Sequence, residues 1–244
     1  VIGAKKQYTV YDYIQDAIKV INDIQNRGKL PILVGGTGFY LKALLEGLPN
    51  LEVPVNQKLR KQLDKLTIQQ LQQRLQEVSC GKWSKMNDSD KQNPRRLIRA
   101  IEIASTDFTS EESLRATIRG GFKTLKIGLI APREILYQRI DERVKSRIEQ
   151  GMIEEADKLH KEGLSLKRMK QLGLEYGVLA NYLSGQISSK EELIKTLQGK
   201  IHGFARRQIT WFKKEKGVNW FDITDPNYLH KVEELVNEWY DRTI

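Results

Sequence analysis

Four consecutive residues, Gly35-Gly36-Thr37-Gly38, could handle a phosphate. Glycines let a backbone approach a ligand closely, and a threonine hydroxyl beside main-chain amides suits an oxygen between two phosphates. The run does not continue into Gly-Lys-Ser/Thr, so it is not a Walker loop, and a turn of this kind is as often a tight connection as a ligand site. Arginines supply the other candidate chemistry. Arg139, Arg143 and Arg147 recur beside an apolar stripe of Leu136, Ile140, Val144 and Ile148. Such a ridge either meets an anion or is a solvated face with its side-chain stems packed down. Arg95 and Arg99 share one face of another helix, with Arg96 about a third of a turn away. Guanidinium groups this dense favour phosphate over carboxylate unless acidic partners lie nearby. Farther on, His202, Arg206, Thr210 and Lys213 share the polar side of a helix whose apolar spacing is Leu193, Leu197, Ile201 and Phe204. An ordinary amphipathic helix with a basic outer face reads the same way.

These residues need elements to place them. Tyr8 to Gln25 has apolar positions at Tyr11, Ile14, Ala17, Ile18 and Ile21, which predicts a helix ending at Asn26-Arg27-Gly28. Leu30-Pro31-Ile32-Leu33-Val34 is continuously apolar between turn residues, which predicts a strand buried on both faces of a parallel sheet. That strand would put the glycine turn at the carboxyl edge of the sheet, where open α/β folds bind ligands. A helix from Phe39 to Glu46 follows, stopped by Gly47 and Pro49. From Asn50 to about Gly121 no strand is convincing, and Lys58 to Val78 and Asn93 to Ala104 read as helices. The expected organisation is therefore an α/β core over residues 1–49 and 124–244 with C-terminal helices, interrupted by a helical insertion domain over 50–123. Strand patterning returns at Thr124 to Ile130, a helix follows from Arg133 to Gln150, and a short strand is expected at Val218 to Phe221.

Composition bounds the function. The 244 residues are 39% hydrophobic, enough for a real core, and no apolar run approaches a membrane span. With 41 Lys and Arg against 31 Asp and Glu, the formal charge of +10 favours phosphate-rich partners, although a lysine-rich solvated surface gives the same number. Cys80 is the single cysteine and has no zinc-ligand spacing around it, and His160 and His230 lie on unremarkable helical stretches. A cytoplasmic protein without a membrane partner is expected.

A longer string goes further than any of these local signals. Pro31 to Gly47 reads Pro-Ile-Leu-Val-Gly-Gly-Thr-Gly-Phe-Tyr-Leu-Lys-Ala-Leu-Leu-Glu-Gly. It is followed in order by Asn93-Pro94-Arg95-Arg96-Leu97-Ile98-Arg99-Ala100, Arg139-Ile140-Asp141-Glu142-Arg143-Val144, Gly173-Leu174-Glu175-Tyr176 and Arg206-Arg207-Gln208-Ile209-Thr210-Trp211-Phe212. Together these strings resemble the tRNA dimethylallyltransferases, also called tRNA isopentenyltransferases.

The resemblance implies a P-loop NTPase-like parallel-sheet core, a nucleotide- or ATP-binding type of fold, whose N-terminal strands lie before Val1, with a helical insertion. It implies transfer of a dimethylallyl group from dimethylallyl diphosphate to the N6 amine of the adenine 3′ to the anticodon in tRNA. Gly35, Gly36, Thr37, Gly38 and Arg143 would hold the diphosphate, with Thr37 and Arg143 catalytic and Arg139 and Arg147 structural. Arg95, Arg96, Leu97, Ile98 and Arg99 would meet the tRNA anticodon stem-loop. So would Gly173, Glu175 and Tyr176, and Arg206, Arg207, Gln208, Thr210, Trp211 and Phe212. Glu175-Tyr176 departs from the Tyr-Arg pair of some relatives. Mg2+ is the implied cofactor, with no metal ligand in this chain. The Walker-type loop, its magnesium-binding hydroxyl and an Asp general base are expected before Val1, so the chain alone is expected to be inactive. A monomer is expected. The alternatives are a non-catalytic RNA-binding remnant and a prenyltransferase acting on free adenine nucleotides.

Overall fold

A computed structural model describes residues 3, 4, 8–48, 50, 51, 53–106 and 122–242. Pro49 and the 107–121 part of the expected insertion lie outside the described residues. The chain divides into two compact units, one made of residues 1–8, 33–38 and 123–244 and the other of 9–32 and 39–122.

The first unit is α/β. Strand β1 (Lys126–Ile130) pairs in parallel with β2 (Val218–Asp222), Lys126 opposite Val218 and Ile130 opposite Asp222. A parallel pair needs a long crossover. Here it consists of α8 (Arg133–Glu149), α9 (Met152–Lys161), α10 (Leu166–Leu172), α11 (Leu174–Leu183) and α12 (Lys190–Phe212), and α13 (Tyr228–Asp241) follows β2. The expected stripes form the core: Ile140, Val144 and Ile148 of α8 are buried with Leu193, Leu197 and Ile201 of α12. Gly128 is required by the sheet, because a Cβ there would lie 2.6 Å from the Trp220 ring and 2.8 Å from Val218 Cγ1. Gly173, at φ 147°, links α10 to α11.

The second unit is helical. It contains α1 (Val10–Asn26), the part of α2 (Gly38–Glu46) from Phe39 onward, α3 (Gln57–Leu63), α4 (Ile68–Val78), α5 (Cys80–Lys85), α6 (Asp88–Lys91) and α7 (Pro94–Ala104). A capping box opens α1, with the Asp12 amide donating to Thr9 Oγ1 and the Thr9 amide donating to Asp12 Oδ2. Ile14 and Ile21 of α1 bury against Ala43 and Leu44 of α2, so these helices group with this unit, whereas the expected division put them with the sheet. Leu63, Leu71, Leu75, Leu97, Ile98 and Ile101 form a second cluster.

Two local expectations are corrected. The Lys58 to Val78 helix is two helices, because Asp64 ends the first and Thr67 caps the second with a box closed by Gln70. The Leu30 to Val34 strand is absent among the described residues. That segment has no strand partner, and Ile32 and Val34 are 79% and 92% exposed. A short apolar run is compatible with a buried strand but does not by itself provide the neighbour that buries it.

Candidate diphosphate and RNA site

In the α/β unit the glycine turn does not sit at the end of a strand. It lies against α12. Gln208 Nε2 donates to the Gly36 carbonyl at 2.6 Å. A Cβ on Gly36 would fall 2.2 Å from that nitrogen, and one on Gly38 would fall 2.1 Å from the Trp211 ring. Both glycines are therefore needed so that the turn can meet two side chains of one helix face, three residues apart. Gly35 has open space around it, and Thr37 is exposed, its hydroxyl without a hydrogen-bond partner among the described residues. Gln208 and Trp211, read from the sequence as RNA contacts, thus hold the turn that carries Thr37. Phe212 meets Trp211 edge-on, with ring centroids 5.1 Å apart.

On α8, Arg143 and Arg139 are exposed and have no carboxylate partner among the described residues, and no hydrogen bond joins Arg143 to Thr37. Arg147 instead pairs with Glu175 of α11. The neighbouring Tyr176 hydroxyl donates to Glu155 of α9. Burial pushes that phenol up to about 12, helped by the hydrogen bond to Glu155 and that carboxylate's charge. Glu175 and Tyr176 therefore bind α11 to α8 and α9.

The cations of α12 differ. Arg206 and Arg207 are exposed and have no carboxylate partner among the described residues. Arg207 lies 5.9 Å over the Phe204 ring. Thr210 Oγ1 donates back to the Arg206 carbonyl at 2.9 Å, on the side of α12 away from Gln208.

In the helical unit, α7 begins at Pro94 behind Asn93, whose side chain accepts from the Arg95 and Arg96 amides. Arg95 is exposed, and Arg96 pairs with Asp90. Leu97 and Ile98 are 0% and 6% exposed, so their side chains pack in the core of the helical unit. Arg99 donates to Glu102 at 3.2 Å and to the Asn50 and Val53 carbonyls, each at 2.9 Å. Glu102, 1% exposed, also accepts from Arg60 at 2.7 and 2.6 Å and from the Asn56 amide at 3.0 Å. Burial alone would raise the Glu102 carboxyl, but the donors from Arg60, Arg99 and Asn56 outweigh it and hold the group below the usual carboxylate value. This buried triad was missed. Its signal was Arg99 and Glu102 three apart on α7, while Arg60 stands far away in sequence.

Among the described residues no three His, Cys, Asp or Glu side chains cluster as a multi-ligand metal centre would need. No described helix is long and apolar enough to cross a membrane.

A family model for IPP transferase matches residues 1–215. The tRNA dimethylallyltransferase 2 of Treponema denticola is 44% identical over 223 residues, covering 88% of this chain and 74% of that protein. The tRNA dimethylallyltransferase 1 of Geotalea daltonii is 37% identical over 225 residues, covering 90% and 71%. The crystal structure of the full-length tRNA isopentenylpyrophosphate transferase of Bacillus halodurans matches at 30% identity and a TM-score of 0.62, covering 97% of this chain and 74% of that one. With the match spanning both units and the glycine turn, the chain belongs to the IPP transferase family.

Proposed function

We propose that this chain serves a tRNA dimethylallyltransferase, which moves a dimethylallyl group from dimethylallyl diphosphate to the N6 amine of the adenine 3′ to the anticodon. The observation that carries this reading is the double role of α12. One face holds the glycine turn through Gln208 and Trp211, and the side away from Gln208 shows Arg206 and Thr210 to solvent. On this reading a phosphate-binding turn and an RNA-reading face would share one helix.

In the reaction the C1–O bond of the donor breaks, the adenine nitrogen bonds to C1 and loses a proton, and diphosphate leaves. Negative charge grows on the leaving oxygen. Arg143, a cation with no carboxylate partner among the described residues, would meet that charge, and the exposed hydroxyl of Thr37 would donate to the same group. An unpaired anticodon-loop base can be turned out of its stack at low cost, as an attack by its exocyclic amine requires. We read the two-stranded parallel sheet followed by α8 as part of a P-loop-like layer, supported by the parallel register and the crossover.

Mg2+, when bound with the diphosphate, would supply charge stabilisation to the leaving group. The test is to express the reading frame encoding this chain in a bacterium lacking its own tRNA dimethylallyltransferase. Digested tRNA is then analysed for isopentenyladenosine by mass spectrometry. Restored modification is expected, and prenylated free nucleotide with unmodified tRNA would contradict the reading.

A further inference from the structure

Tyr137, on the second turn of α8, is surrounded by basic groups from two helices. His202 of α12 stacks on its ring at 3.9 Å and 7°. Arg133, one turn earlier on α8, has its guanidinium carbon 5.2 Å from the ring centroid, and its Nε donates to the phenol oxygen at 3.1 Å. Arg206 lies one turn beyond His202 on α12, near enough for its charge to act on that phenol. It lies over Gly203, where an added Cβ would come within 3.8 Å of Arg206 Nη2 and 3.5 Å of Arg207 Nη1. Asp141, one turn beyond Tyr137 on α8, faces His202, its Oδ1 lying 2.9 Å from His202 Nε2. Glu142 accepts from Gln138 on the same helix. Two guanidinium groups therefore lie about one neutral oxygen, Arg133 bonded to it, and neither has a carboxylate partner among the described residues. The hydrogen bond from Arg133, together with the charges of Arg133 and Arg206, draws the Tyr137 phenol below its ordinary value.

Converging guanidiniums repel each other, and a phosphate relieves that repulsion while accepting planar, charge-assisted hydrogen bonds from both. A histidine–tyrosine stack anchored in the core keeps them from swinging apart. We propose that Arg133, Tyr137 and Arg206 form a phosphate subsite that takes a backbone phosphate of the RNA lying along α12. The proposal rests on the RNA reading of that helix. It adds Arg133 and Tyr137 of α8, which no sequence signal had assigned.

The test titrates a labelled RNA hairpin with unpaired loop adenines into the full 244-residue chain at several salt concentrations. A parallel calorimetric titration uses inorganic diphosphate. Arg133→Gln should weaken hairpin binding about tenfold at low salt. It should also make the slope of log affinity against log salt shallower by about 0.7 to 0.9. Diphosphate binding and the thermal melt should stay as in the parent. Tyr137→Phe, which keeps the ring and the stack but frees Arg133, should lose only about two- to threefold and leave the slope unchanged, because both charges remain.

Arg207→Gln, outside the subsite, is the control for the RNA reading. If it weakens the hairpin while Arg133→Gln does not, the subsite falls and the RNA face stands. If neither matters, both fall. Loss of diphosphate binding in Arg133→Gln with hairpin affinity intact would move these residues to the donor and overturn the proposal.

Discussion

On α7 the guanidinium of Arg99 lies against Glu102 and two main-chain carbonyls, whereas on α12 Arg206 and Arg207 are exposed, with aromatic neighbours and no carboxylate partner among the described residues. Both helices show arginines at helical spacing, and both resemble RNA-contacting segments of the family. What separates them is the chemistry within reach. A buried acid on the next turn of α7 recruits Arg99 into the helical unit, and Arg60 closes the same triad from α3. On α12 the nearest positions offer Gly203, Thr210 and aromatic rings, which leave the cations available. The same division occurs along α8, where Arg147 pairs with Glu175 and Arg143, one turn earlier, has no such partner among the described residues. Spacing alone marks an arginine as a candidate, and the nearest acid decides whether it holds the fold or meets a ligand.

The strongest challenge to this contrast is Glu102→Ala, which leaves two guanidiniums against the helical core. It should destabilise the protein by about 3 kcal/mol, the lower end for breaking a buried ion pair because both arginines keep some solvent. A denaturant melt reads the loss. The pH dependence sharpens the same point. The carboxyl is held below its usual value, so its contribution is complete above about pH 4.3 and fades as pH falls below that. The variant should lack this part of the acid sensitivity, and a variant as stable as the parent would remove the distinction between α7 and α12.

Next in size is the pair on the donor. In the complete reading frame, Arg143→Ala should lower kcat/KM by about 10²-fold, as expected for a cation meeting leaving-group charge. Thr37→Ala should lose no more than that, because it removes a neutral donor. Steady-state kinetics with dimethylallyl diphosphate varied gives both values. Normal turnover in a folded Arg143→Ala variant would mean that an unpartnered cation on α8 is only surface.

Smaller still is a contrast within the glycine turn. Gly38→Ala must displace the Trp211 ring and should cost about tenfold in kcat/KM through misplacement of Thr37. Gly35→Ala points into open space and should change little. Equal effects would show that Gln208 and Trp211 do not position the turn.

Several of these features were legible from the residues. The stripes Ile140, Val144, Ile148 and Leu193, Leu197, Ile201 announced α8 and α12, and the strands at Lys126 and Val218 stood out between polar segments. The glycine turn was visible, but its support was not. Gln208 reaches Gly36 from 172 residues away, and nothing local to either announces that bond. The apolar run at Leu30 to Val34 misled because hydrophobicity states a need for burial without providing the neighbour that meets it. Likewise Tyr137 and His202 each looked ordinary on its own helix and acquire a role only where the two helices pack.

The most direct test measures salt-dependent binding of an RNA hairpin to Arg206→Ala and Arg99→Ala side by side, each with a thermal melt. Arg206→Ala should flatten the slope of log affinity against log salt by about 0.7 to 0.9 and melt like the parent. Arg99→Ala should melt lower and, at a temperature where it is folded, keep the parental slope. A flattened slope in Arg99→Ala with a parental slope in Arg206→Ala would contradict the account, because the arginine bound to Glu102 would then be the one that meets RNA.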